Sequence, residues 1–206
     1  MKFYLSSYEI GKETKKLRQM LPKNKRTALI SNALDCYTDL KRREKGDKKS
    51  LSQLRSVGLR PEVLDLRNYF GRKKELEKKL KEFGVIWVRG GNTFVLRQAM
   101  RLSGFDRIFK KLRAKKDVLY GGYSAGICIL APDLRGIEIM DDKNQRPYGK
   151  KSKRIWEGLG VLNYYIVPHY KSDHPETKLA AKAVQYCINN RLLFKALRDG
   201  EVIVIE

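Results

Sequence analysis

Three short stretches of the chain carry the residue types that acyl-transfer chemistry needs. The first is Gly121-Gly122-Tyr123-Ser124-Ala125-Gly126, set between the apolar runs Val118-Leu119-Tyr120 and Ile127-Cys128-Ile129-Leu130. This is the layout of a nucleophile elbow, a tight strand-to-helix turn that lifts one side chain clear of a sheet. The flanking glycines answer a crowded and often strained backbone. A serine hydroxyl is a poor nucleophile until a base takes its proton and donors stabilise the oxyanion. The chain offers two histidines for that task. His169 closes the apolar run Tyr164-Tyr165-Ile166-Val167-Pro168, which places it beyond a strand end. His174, in Lys171-Ser172-Asp173-His174-Pro175, reads as a solvent-facing loop residue.

The Ala125 amide, one residue past the serine, is the expected first oxyanion donor. The second is expected from Gly90-Gly91 in Val88-Arg89-Gly90-Gly91-Asn92-Thr93-Phe94, where glycine lets a carbonyl approach the backbone closely. Asn92 or Thr93 would cap the helix that follows. A dinucleotide-binding fingerprint is excluded, because the third glycine at the required spacing is missing. The acid that would orient His169 is open among Glu138, Asp141 and Asp142. Strand alternation over 136–140 puts Glu138 on the face opposite Ile137 and Ile139. An acid buried in such a strand needs a partner, which favours Glu138.

These corners must be held by the elements around them. Strand-like runs occur at Lys2–Ser6, Thr27–Ser31, Glu62–Asp65, Val85–Val88, Val118–Gly121, Gly136–Met140, Tyr164–Pro168 and Glu201–Ile205. Helical spacing occurs over Leu34–Val57, Arg72–Phe83, Thr93–Leu102, Phe105–Lys115 and Glu176–Asn190. Such alternation predicts a three-layer α/β domain with a doubly wound, mostly parallel sheet. Ligands of such sheets gather beyond the carboxyl ends of the strands, where both glycine corners fall. One domain over residues 1–206 is expected, with residues 141–155 as an exposed, mobile loop.

The chain has 45 Lys+Arg against 23 Asp+Glu, a net charge of +22. Its basic residues are spread along the chain and interleaved with acids, as in Lys73-Lys74-Glu75-Leu76-Glu77-Lys78-Lys79. That distribution reads as a solvated basic surface and argues against a nucleic-acid partner. The three scattered cysteines lack metal-ligand spacing, so neither a metal nor a cofactor is expected. No apolar stretch approaches the ~20 residues of a membrane span. A cytoplasmic protein, monomer or homodimer, is expected.

Taken together, Gly90-Gly91-Asn92-Thr93-Phe94, Gly122-Tyr123-Ser124-Ala125-Gly126 and Pro168-His169-Tyr170 resemble the peptidase E family of serine peptidases. The resemblance implies a class I glutamine amidotransferase-like, flavodoxin-like fold. It also implies Ser124 as nucleophile, His169 as base, Gly91 and Ala125 as oxyanion donors, and Gly90 and Asn92 beside the substrate. Where the aspartyl dipeptidases carry Glu-Thr-Arg, this chain has Glu176-Thr177-Lys178, which puts Lys178 in the substrate-reading position. Lysine keeps the charge but loses the planar fork. The implied activity is hydrolysis of short peptides, with an acidic N-terminal residue favoured by the basic surface. The alternatives are another acyl hydrolase on the same fold, cyanophycinase-like or esterase, or a binding protein with a degenerate site.

Overall fold

The computed structural model describes residues 1–149 and 152–206. Eight strands and seven helices follow in the order β1 (Lys2–Ser6), α1 (Thr14–Met20), β2 (Arg26–Ile30), α2 (Leu40–Ser56), β3 (Arg60–Val63), α3 (Lys73–Leu80), β4 (Val85–Val88), α4 (Thr93–Ser103), α5 (Phe105–Leu112), β5 (Leu119–Tyr123), α6 (Ala125–Cys128), β6 (Tyr165–Val167), α7 (Thr177–Asn189), β7 (Phe194–Ala196) and β8 (Val202–Ile205). Six strands form one sheet in the order β3-β2-β4-β5-β1-β8. All neighbours are parallel except β8, which runs antiparallel to β1.

The strands are apolar on both faces because helices cover both faces. Side chains alternate between two cores: Phe3, Leu5, Ile86 and Val88 pack with α3, α4, α5 and α6, whereas Tyr4, Val85 and Trp87 pack with α1 and α2. Register aligns Ser6 with Tyr123, and Gly122 with Val88. The carboxyl ends therefore lie level, and Ser7, Arg89 and Ser124 emerge side by side.

Two glycines set how tightly the layers close. A Cβ on Gly121 would lie 2.3 Å from the Trp87 ring, and one on Gly126 would lie 2.2 Å from the Val88 carbonyl oxygen. The first turn of α6 thus sits directly on β4. Helix α4 is capped at both ends: the Asn92 side chain accepts the Val95 N–H, and Gly104 closes it in the left-handed conformation at φ +75°.

The structure departs from the sequence expectations in three places. Residues Ile137–Ile139 form a single 3₁₀ turn rather than a strand, because Gly136 at φ +82° breaks the extended run. Strand β6 leaves the main sheet and pairs in parallel with β7, a strand too short and polar-flanked to stand out in the sequence. The 141–155 loop is largely exposed, as expected, but its described residues are anchored: Gln98 donates to the Gln145 carbonyl, Tyr148 donates to the Asp35 carboxylate at 2.5 Å, and Arg154 donates to the Lys143 carbonyl. Lys150 and Lys151 of that loop lie outside the described residues.

Gly126→Ala is expected to destabilise the fold by about 1–3 kcal/mol, since its methyl meets backbone that cannot swing away. A lower urea midpoint at unchanged slope is the measurement that checks this.

Candidate active site

Ser124 sits between β5 and α6 at φ 50°, ψ −119°, a conformation that costs a non-glycine residue energy. Its N–H donates to the Ser7 carbonyl at 3.2 Å, and its own carbonyl accepts the N–H of Ile127 and Cys128. A Cβ on Gly90 would lie 2.9 Å from the Ser124 Cβ, so the two glycine corners abut. Gly91 follows at φ +137°, where an added Cβ would lie 2.6 Å from the Ala33 carbonyl oxygen. Among the described residues, the amides of Gly91 and Ala125 donate to no other backbone group. Both are left available beside the serine.

His169 follows β6 at φ 61° and is 1% exposed. Its Nδ1 pairs with Asp199 Oδ1 at 2.8 Å, which leaves Nε2 directed toward the Glu176 carboxylate, 3.9 Å away. The imidazole pKa lies below the ordinary value. Burial is the main cause and the facing His174 adds to it, while Asp199 opposes both.

The histidine's carboxylate partner is therefore Asp199, and none of Glu138, Asp141 or Asp142 occupies that place. Glu138 sits on the 3₁₀ turn with Oε2 buried and unpartnered. Asp141 accepts the Thr93 N–H at 2.8 Å. Asp142 accepts the Asn144 N–H and a Gln145 amide hydrogen, while its carbonyl accepts from the Asn92 amide. Asn92 is thereby spent on capping α4 and pinning this loop. Lys178 is exposed on the first turn of α7.

Sequence reasoning missed Asp199 because it considered only acids between the serine and His169. The usable signal was Asp199-Gly200, a turn pair after the overlooked β7, the strand that lies beside β6. Ser7 was missed as well. Its hydroxyl, fully buried, accepts the His169 N–H at 2.9 Å and donates to Asp199 Oδ1 at 2.8 Å. His174 is half-buried rather than fully solvent-facing: its ring stacks on His169 at 3.7 Å and 7°, and Tyr8 meets both rings edge-on. Arg89 reinforces the serine's strand by donating to the Tyr123 hydroxyl at 3.0 Å while paired with Asp47.

Beside Ser124 lies a narrow cleft of about 10 Å³, room for about one water molecule, lined by Thr93, Ala125, Cys128, Met140, Asp141 and Glu176 among others. Burial raises the Asp141 carboxyl to about 7; Thr93 opposes the rise and Glu176 adds to it. Among the described residues, His169, His174 and Glu176 bring three possible metal-ligand atoms within 4.8 Å of one another. The parallel stacking of the two rings keeps their in-plane lone pairs from converging on one ion, so the group is a poor chelate as it stands.

A doubly wound α/β sheet with a strained serine, a carboxylate-held histidine and a glycine corner at its carboxyl edge defines a class of hydrolase-like fold. Comparison with known proteins narrows the class. The model of Peptidase family S51 matches residues 7–206, and the chain belongs to that family. An uncharacterized peptidase of Pasteurella multocida (strain Pm70) is 33% identical over 111 residues, which cover 53% of this chain and 50% of that protein. An uncharacterized peptidase of Listeria monocytogenes (serovar 1/2a, strain EGD-e) is 32% identical over 161 residues, 73% of each. The match thus spans half the length of the first relative and nearly three quarters of the second. A crystal structure of a candidate peptidase E protein from Listeria monocytogenes EGD-e superposes with a TM-score of 0.74 at 24% identity, covering 100% of this chain and 98% of that one. A peptidase from an acI-B1 Actinobacterium gives 0.69 at 14% identity, covering 100% and 83%. These two likenesses concern the fold. No described helix is long and apolar enough to cross a membrane.

Two stability measurements test this geometry. Ser7→Ala strands the buried His169 N–H and should cost about 1–3 kcal/mol of unfolding free energy. Asp141→Asn tests the raised carboxyl. Its folded pKa of about 7 exceeds the unfolded value, so its contribution to stability is full below the unfolded pKa and is lost as pH rises to about 7. The Asn variant should therefore be more stable than the parent above pH 7, with the gain shrinking toward pH 4. Denaturant titrations across that range check both.

Proposed function

We propose that the protein is a serine peptidase acting on short peptides through Ser124, His169 and Asp199. The observation that carries this reading is the 2.8 Å contact between Asp199 and His169 Nδ1. It fixes the tautomer with Nδ1 protonated and leaves Nε2 basic on the cleft side, the arrangement a proton-accepting histidine requires. In this reading Ser124 Oγ attacks the peptide carbonyl as Nε2 takes its proton. The resulting oxyanion lies against the amides of Gly91 and Ala125, and the proton passes to the departing amine. Water then enters by the same base and releases the acyl group. Burial of His169 supports the scheme, because a lowered pKa keeps the ring neutral and able to accept a proton at pH 7. Family membership supports peptide as the substrate class.

Ser124→Ala should lower peptide turnover by a factor of about 10³ or more, and Asp199→Asn by about 10²–10⁴. Glu138→Gln and Asp142→Asn should stay within a few-fold of the parent. A dipeptide panel followed by amine release checks all four. Full activity in Ser124→Ala, or a larger loss in Glu138→Gln than in Asp199→Asn, would sink the assignment.

A further inference from the structure

The two histidines of the chain lie face to face, and the proposed mechanism uses only one of them. The ring centroids of His169 and His174 are 3.7 Å apart and the ring planes differ by 7°. Such close centroids leave little lateral offset between the rings. Two neutral rings prefer an offset or edge-on contact to a sandwich of this kind. The sandwich becomes favourable when one ring is a cation, because the other then offers it a negative π face.

The hydrogen bonds decide which ring can carry the charge. His169 Nδ1 meets the Asp199 carboxylate, and its Nε2 faces the Glu176 carboxylate at 3.9 Å, so a proton added at Nε2 finds acceptors on both sides of the ring. His174 Nδ1 instead accepts the Glu176 N–H at 3.2 Å. A proton on that nitrogen would abolish the bond, which therefore selects the neutral tautomer of His174 with its proton on Nε2. The segment around His174 is held in place. The Ser172 N–H donates to the Thr177 hydroxyl at 3.1 Å, and the Thr177 N–H donates to the His174 carbonyl at 3.0 Å. The titratable groups about the pair are Asp199 after β7, Glu176 at the start of α7 and Tyr8 after β1, which meets both rings edge-on. Like charge on the two rings is what lets His174 hold the His169 pKa down. A neutral His174 has no such effect and contributes only its ring face.

We infer that His174 is a positioning residue for the base: held neutral by the Glu176 N–H, its ring face steadies His169 and stabilises the imidazolium formed when Nε2 takes the Ser124 proton. His174 acts through His169 alone. The gain is made in the transition state and not on substrate binding, so it belongs to kcat and not to KM. The inference rests on the peptidase reading for the moment at which His169 is charged, whereas the effect of the stack on the His169 proton does not.

His174→Phe and His174→Leu test this as a matched pair. Both remove the Nδ1 acceptor and the second titrating ring, and only phenylalanine keeps a flat π face. The two full-length variants are first checked for matching melting transitions. NMR of protein labelled at the histidine nitrogens reads His169 directly, since the chain has only two histidines. The parent should show His174 protonated on Nε2 alone at pH 8. The His169 midpoint in His174→Phe should lie about half a pH unit or more above that in His174→Leu. On the dipeptide panel at pH 8, kcat of His174→Phe should exceed that of His174→Leu by about fivefold or more, with KM within about twofold. The acid limb of kcat/KM should be steeper in the parent, where either ring can take a charge, than in His174→Phe. Equal His169 midpoints and equal kcat in the two variants would overturn the proposal, as would a parent His174 protonated on Nδ1 at pH 8. If the midpoints separate but the parent cleaves none of the dipeptides, the peptidase reading fails and the hold of the stack on the His169 proton stands. If Ser124→Ala abolishes turnover while the two His174 variants match in midpoint and kcat, the stacking role fails and the peptidase reading stands.

Discussion

The arrangement of the site depends on one buried hydroxyl. Ser7 follows the last residue of β1, and its carbonyl and hydroxyl together reach three separate parts of the chain. Its carbonyl accepts the Ser124 N–H, its hydroxyl oxygen accepts the His169 N–H, and its hydroxyl proton goes to Asp199. The main sheet holds the serine, whereas the histidine and the aspartate come from the small β6-β7 sheet. That link works beside the Ser7 N–H bond to the Glu201 carbonyl and the Cys128 thiol contact to the Ile166 carbonyl, which also tie the two sheets together. A hydroxyl fixes the distance as well as the contact, because hydrogen bonds weaken steeply once their length and angle depart from the optimum. Serine is suited to the position by being both donor and acceptor at minimal volume.

Around that node the backbone is strained where the chemistry would occur. Ser124 and His169 both take positive φ, as does Lys171 just beyond. Such conformations persist only where the surroundings over-determine them. Here the surroundings are specific: Gly90 against Ser124, Gly126 against the Val88 carbonyl, and the β6-β7 ladder continuing through Tyr170 N–H to the Leu197 carbonyl. The Ser172 hydroxyl then accepts the Asp199 N–H at 2.8 Å, so the aspartate is held through both its backbone and its side chain.

How legible this was in the sequence follows from how local each determinant is. Strand β4 and helix α4 were readable from short apolar runs and a capping asparagine, since those signals lie within a few residues of the elements they specify. The turn at Ser124 was readable for the same reason. Asp199 was not, because its role is set by a pairing between β6 and β7 that no local pattern announces. Glu138 was misplaced by an alternation argument that failed at one residue, Gly136, whose positive φ converts an extended run into a turn. His174 carried the polar flanks of a loop residue. Only the fold shows that the loop turns back over His169.

Net charge misleads about this site for a related physical reason. The charge of +22 is a sum over the whole chain, and much of it sits on exposed faces where solvent and salt screen it within about 10 Å. What a bound group experiences is set by the few charges that share its low-dielectric surroundings. At the cleft these are Asp141 and Glu176, and burial, with a smaller contribution from Glu176, raises the Asp141 carboxyl to about 7 against the opposing Thr93.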